Sequence, residues 1–399
     1  MNIPPFQIGR LPKIEFGAGA AAKLPALAAS FGTRVLLVTG ARSFDQAPWS
    51  AKLLDGLRAQ GLACERLKVG DEPSPELVDD AVRAFRSADI GAVIGLGGGS
   101  ALDAAKAIAG LLKPGNSVLD HLDGVGPEAP YRGPATPFIA VPTTAGTGSE
   151  ATKNAVLSKR GADGFKKSFR DDVLVAHTAI VDPDLLVGCP KPQIAANGMD
   201  ALTQLLESYV STRANPITDA LALSGLAAAR DGLLTWYRGG NDGAGAAEAR
   251  SRMAYASLLS GICLAQTGLG SVHGLASPLG AYFPIPHGVV CGTLVAAATA
   301  VNIAALQARA PDGVALAKYA TIGRLLSGRD GTSDAAARDD LVAVLDQWTQ
   351  ALALPKLSSL GVAPSDISRI VAGSRGSSMK TNPIVLTDDE VSAVVTARM

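Results

Sequence analysis

At 399 residues the chain is longer than one hydrophobic core usually serves, so two domains are expected. Its 36 basic and 36 acidic residues cancel, and no basic surplus or patch marks a nucleic-acid or membrane partner. An apolar fraction of 47% with 44 glycines suits a tightly packed α/β enzyme, and the lack of a long apolar run or of an apolar leader core in MNIPPFQIGR points to the cytoplasm. In chain order, RVLLVTG (34–40) and IGAVIGLGGG (90–99) are short apolar runs ending in glycine. AKLLDGLRAQG and PELVDDAVRAFRSAD between them carry apolar residues at helical spacing. Further apolar runs follow in PFIAVPTTAGTGSE and TAIVDPDLL. Strands alternating with helices predict a doubly wound parallel sheet over residues 1–187. After LVGCPKP the strand-like runs stop, and Ala/Leu-rich segments predict an all-helical domain over 188–399. GGNDGAGAAEARS reads as a helix-to-helix loop, and PLGAYFPIPHG as a loop or helix start. The longest apolar stretch there, GTLVAAATAVNIAAL, is shorter than a membrane span.

Two loops carry chemistry. In VIGLGGGSALDAAKAIA a strand runs through Gly97, Gly98 and Gly99 into a helix. Ser100 is placed as its N-cap and Asp103 lies three residues on. Glycines let backbone amides approach a phosphate, and the helix start adds partial positive charge. The spacing is not GxGxxG, and a plain capped strand-to-helix turn is the competing reading. In VPTTAGTGSEAT, Thr143, Thr144, Thr147, Ser149 and Thr152 offer hydroxyls directly after another strand. Two such loops at adjacent strand ends favour a nucleotide crevice. In the second half, Asp200 and Gln204 stand four residues apart on one face of an otherwise apolar helix, a face that either meets solvent or holds something. Cys64, Cys189, Cys263 and Cys291 are scattered without CxxC spacing and are expected to be buried apolar thiols.

GGGSALDAAKAIA, PTTAGTGSEAT, GMDALTQLLESYVS and VHGLASPLGAYFPIPHG, in that order, resemble the iron-containing (group III, metal-dependent) alcohol dehydrogenases, and the resemblance spans essentially the whole chain. It implies a dehydroquinate synthase-like architecture, with an N-terminal nucleotide-binding α/β domain, a C-terminal helical domain and a cleft holding cofactor and metal. It also implies hydride transfer between NAD or NADP and a small alcohol or aldehyde, with a homodimer as the usual assembly. By the same resemblance Gly97, Gly98, Gly99, Ser100 and Asp103 hold the pyrophosphate. Thr143, Thr144, Thr147 and Thr152 line the nicotinamide side, and Lys166 lies near the cofactor ribose. Gly40 stands where the family often has an aspartate. With Arg42 close by, losing that anion relaxes discrimination against a 2′-phosphate, so NADP use is expected beside NAD.

The family's metal is held by an aspartate, a histidine four residues later and two further histidines. Asp200, His273 and His287 match three of these, and Gln204 replaces the fourth. Four readings follow. Asp200, His273 and His287 alone hold zinc, with a position left open for substrate oxygen; Gln204 adds a neutral oxygen ligand to Fe²⁺ or Zn²⁺; the metal has been given up, as in the maleylacetate reductases; or the groups only satisfy one another. Ser277 stands where many relatives have a proton-relay histidine. Lys153 is placed to meet an anionic substrate or solvent, Tyr282 and Phe283 to line a pocket or the core, and His121 and His177 to be structural. The competing functions are a metal-independent reductase of an enoate or oxo acid, and a dinucleotide-binding protein without catalysis.

Overall fold

A computed structural model describes residue 3 and residues 5–161 and 164–399; Met1, Asn2 and Pro4 of the MNIPPFQIGR stretch lie outside the described residues. Two compact units divide the chain, one spanning Gly9–Cys189 and the other Pro190–Met399 together with the described residues of Met1–Ile8.

The first unit contains strands β1 (Lys13–Phe16), β2 (Arg34–Gly40), β3 (Ala63–Val69), β4 (Ala92–Gly97), β5 (Phe138–Pro142), β6 (Asn154–Lys159), β7 (Phe165–Arg170) and β8 (Thr178–Val181). Six of them form a wholly parallel sheet in the order β1-β8-β5-β4-β2-β3. Such a sheet needs cover on both faces, and the alternation of side chains supplies it. From β2, Leu36 and Val38 join a core with Val78 and Val82 of helix Pro75–Phe85 and Leu102 and Ile108 of helix Gly99–Leu111. Val35 and Leu37 point the other way, into a second core with Leu24, Leu53 and Leu57. The doubly wound sheet is thus as the alternating pattern predicts. The antiparallel hairpin β6–β7 is not among the expected elements. Its second strand, FKKSFR, is charged and mostly half-buried, so it lacks the apolar run that marks the sheet strands.

Among the described residues, the second unit is helical. Helix Lys191–Val210 starts behind Pro190, and helix Pro216–Gly239 starts at Asn215, whose side chain accepts from the amides of Ile217 and Thr218. Helices Ala246–Thr267, Ser271–Tyr282 and His287–Arg309 follow. Pro284 and Pro286 interrupt the helical run as expected, and Pro286 is the N-cap of the helix that His287 opens. That helix corrects one expectation. With 23 residues it is long and apolar enough to cross a membrane, but 72% of its apolar window is buried inside the protein, so its apolarity is that of a core helix.

Candidate metal centre and cofactor loops

In the α/β unit the chain leaves β2 toward one sheet edge and β4 toward the other, so the crevice of a doubly wound sheet lies at the carboxyl ends of these two neighbours. Gly40 ends β2, Gly97 ends β4, and Gly97 is in register with Pro142 of β5. The glycine loop and the hydroxyl loop lock together here. The amide of Thr143 donates to the carbonyl of Gly97 at 2.9 Å. A Cβ on Gly99 would lie 2.7 Å from Thr147 Cγ2 and 2.9 Å from its hydroxyl oxygen, so only glycine lets the two loops approach this closely. Gly98, Gly99, Ser100, Thr143, Thr144 and Thr147 are half-buried, which leaves part of each open to a ligand.

Two expectations about this loop are corrected. Ser100 is not the N-cap: helix Gly99–Leu111 begins two residues earlier than that cap would set it, with Gly98 as a cap that has no side-chain bond. Its first amides therefore face a ligand or water without a competing side chain. Asp103 does not reach forward as a phosphate-binding group. Its carboxylate accepts from Ser149 Oγ and from the Val156 amide at 3.1 Å, bracing the hydroxyl loop from within. A carboxylate offers only acceptors to an anion. Burial raises its pKa, against the pull of Lys106.

Lys106 completes this brace. It is fully buried, and its ammonium donates to the Ser149 carbonyl, the Thr152 hydroxyl and the Asn154 carbonyl, each at 2.8 Å. Burial lowers its pKa to about 8, opposed by Asp103 and Glu150. Burial likewise pushes Glu150 up to about 7. Thr152, also buried, has its hydroxyl held by this lysine. Around the crevice, Arg42 is exposed and precedes the short helix Ser43–Gln46. Lys166 lies on β7 in an ion pair with Glu72, and Lys153 is paired with Asp172 at the surface.

The helical unit assembles a different kind of site. Asp200, on helix Lys191–Val210, is buried beside His273 from helix Ser271–Tyr282 and His287 from the next helix. Asp200 Oδ1 lies 3.3 Å from His273 Nε2 and 3.7 Å from His287 Nε2. Cys291, one turn beyond His287, joins them, with Sγ 3.6 Å from His273 Nε2 and 3.8 Å from His287 Nε2. The four donor atoms lie within 4.8 Å of one another. Cys291 is buried, as expected, and helix packing places it beside the histidines, which the expectation did not include. Cys263 is likewise buried.

Glu207 organises the group. It sits seven residues after Asp200 on the same helix face, accepts from His273 Nδ1 at 2.6 Å and from the Val272 amide at 2.7 Å. The first bond leaves His273 Nε2 directed at the donor cluster. The second, with Asn382 Oδ1 accepting from the Ser271 amide, caps the start of helix Ser271–Tyr282. Gly270 makes room for both, since a Cβ there would lie 2.9 Å from each acceptor oxygen. Burial raises the pKa of Asp200, but His287 and His273 bring it below the ordinary carboxylate value. Burial disfavours the charged form of His273, yet Cys291, Asp200 and Glu207 hold its pKa well above the usual imidazole value. Burial pushes the Cys291 thiol up to about 12.

A carboxylate, two imidazoles and a thiol within this span suit a divalent ion such as Zn²⁺ or Fe²⁺, so the residues present fit the metal that the resemblance implies. Gln204 is buried on the same helix, with its carboxamide oxygen accepting from Ser260 Oγ at 2.7 Å. Ser277 is half-buried. His121 stacks on Phe169 and bonds the Ala129 carbonyl, His177 packs edge-on to Phe31, and Arg369 lies over the rings of Tyr282 and Phe283. Sequence reasoning missed Cys291, Glu207 and Lys106. The signal for Cys291 was its i+4 spacing from His287, and for Glu207 its i+7 spacing from Asp200. Lys106 stands on an otherwise apolar helix face, which a buried cation alone would explain.

Residues 12–183 match the family described as iron-containing alcohol dehydrogenase, and residues 194–399 its C-terminal part. The chain is 34% identical over 333 residues to alcohol dehydrogenase 4 of Schizosaccharomyces pombe, covering 83% of this chain and 74% of the relative. It is 29% identical over 388 residues to the NAD-dependent methanol dehydrogenase of Bacillus methanolicus, covering 96% and 97%. A solved 1,3-propanediol oxidoreductase superposes with a TM-score of 0.88 at 28% identity, covering 99% of this chain and all of the other. Glycine loop, donor cluster and two-part match agree: the chain belongs to the iron-containing alcohol dehydrogenase family, NAD-dependent oxidoreductases acting on CH–OH groups.

Proposed function

We propose that this protein interconverts a small alcohol and its aldehyde with NAD or NADP, assisted by a divalent ion held by Asp200, His273 and His287. The convergence of these three donors from three helices, Asp200 and His273 buried and His287 half-buried, carries the reading. When bound, the ion supplies Lewis acidity toward the substrate oxygen, and the nicotinamide accepts or gives the hydride. The chain's own residues do the rest. Glu207 keeps His273 in the tautomer that presents Nε2. The amides after Gly98 and the glycines at 97–99 receive the pyrophosphate, while Thr143, Thr144 and Thr147 contact the nicotinamide side and Lys166 the ribose. The Ser277 hydroxyl can hydrogen-bond but does not titrate near neutral pH, so proton transfer would use water, the cofactor ribose hydroxyl or another group. Gly40, without a carboxylate, supports acceptance of NADP, whereas the exposure of Arg42 suits the reading in which it points into solvent and NAD binds. A homodimer, as the resemblance implies, is the expected assembly.

Elemental analysis of protein purified without added metal, paired with NADH and NADPH oxidation before and after EDTA, tests this. Stoichiometric iron or zinc, with activity lost on chelation and restored by metal, is expected. Metal-free protein with undiminished reductase activity overturns it and leaves the metal-independent reductase.

A further inference from the structure

The donor cluster has a fourth corner, and the structure puts sulfur there. We propose that Cys291 binds the ion as a thiolate, a fourth donor beside Asp200, His273 and His287 that suits Zn²⁺, with the substrate oxygen adding as a fifth. This rests on the reading that a divalent ion occupies the cluster at all, and extends it to the place where Gln204 stands instead of the family's histidine.

Three observations carry the assignment. His287 and Cys291 stand four residues apart on one helix, so both project from the same face over one turn. The separations of the Asp200 and Cys291 donor atoms from the two imidazoles fit a single ion. In a tetrahedron with zinc–nitrogen and zinc–oxygen bonds of about 2.0–2.1 Å and a zinc–sulfur bond of about 2.3 Å, edges are about 3.4 Å between light donors and about 3.6 Å to sulfur. The sulfur edges here are 3.6 and 3.8 Å, and the oxygen–nitrogen edges 3.3 and 3.7 Å. Gln204, the other candidate for the fourth place, has its carboxamide oxygen on Ser260 Oγ.

Chemistry agrees with geometry. Ligation displaces the thiol proton to solvent, and two anionic donors then balance a dication with two neutral imidazoles. That balance matters because Cys291 is fully buried, in an interior that disfavours uncompensated charge. A thiolate also moves the set away from hard cations such as Mg²⁺ and toward zinc.

Cobalt(II) substitution tests it spectroscopically. Cobalt-loaded wild-type protein is expected to show visible d–d bands of tetrahedral intensity together with a near-ultraviolet sulfur-to-cobalt charge-transfer band. Cys291→Ser is expected to keep the d–d bands, lose the charge-transfer band, and bind cobalt more weakly by at least the roughly 10–100-fold that loss of an outer-sphere partner costs. Wild-type d–d bands without charge transfer, or a charge-transfer band that persists in Cys291→Ser, overturn the role of Cys291 and leave the three-donor reading standing. Wild-type protein that takes up no cobalt overturns both.

Discussion

The α/β unit and the helical unit make their sites from opposite materials. At the strand ends, the groups offered are backbone amides and short hydroxyls held close by glycine, and the charged residues, Asp103 and Lys106, work as internal braces. In the helical unit the backbone is saturated by helix, and everything offered is a side chain: one carboxylate, two imidazoles and a thiol. The first kind of site is sensitive to added volume, since it depends on close approach. The second is sensitive to lost donors, since each corner is one atom.

That contrast predicts a double dissociation. Asp200→Asn removes an anionic donor and is expected to lower kcat/KM by about 10³-fold or more, through lost metal, with cofactor affinity unchanged. Gly99→Val is expected to do the reverse. The added side chain meets Thr147, forces the two loops apart and lowers kcat/KM for the dinucleotide by on the order of 100-fold, while metal content stays at the wild-type level. Metal analysis and cofactor titration of both variants check this. Loss of both properties in either one breaks the separation.

The smallest effect concerns the brace. Burial raises the Glu150 pKa from 4.5 to about 7 in the folded protein. The stability tied to its neutral form is therefore full below pH 4.5 and is lost as pH rises through 7, by up to roughly 1.4 kcal/mol per pH unit within that window. Lys106, lowered to about 8, stays charged across the same window and does not cancel the trend. Urea midpoints of wild type and Glu150→Gln are expected to diverge between pH 5 and 8, with the wild type falling relative to the variant. A constant difference would remove Glu150 as the titrating group.

The same contrast explains what the sequence disclosed. The crevice was legible because its parts are local: apolar strand, glycines and helix follow one another within VIGLGGGSALDAAKAIA, and two such loops stand at neighbouring strands. Errors there were of register, as at Ser100, where Gly98 takes the cap instead. In the helical unit, Asp200, His273 and His287 were legible through resemblance to a family. Cys291 and Glu207 were not, because their i+4 and i+7 spacings from His287 and Asp200 place them on a shared helix face without showing that the face meets a ligand. Only the packing of three helices shows what they touch. The β6–β7 hairpin escaped for a related reason, since its charged strand FKKSFR lacks the apolar run of a buried strand.

The cap on the His273 helix also has a consequence in time. Asn382, which receives the Ser271 amide, lies 111 residues downstream of it. A chain made from its N-terminus completes the Gly9–Cys189 unit long before that asparagine exists, whereas the helix bearing His273 lacks one of its two anchors until very late in synthesis. The cofactor loops can thus mature on the ribosome, whereas the imidazole is fixed in place only once the chain has been made as far as Asn382.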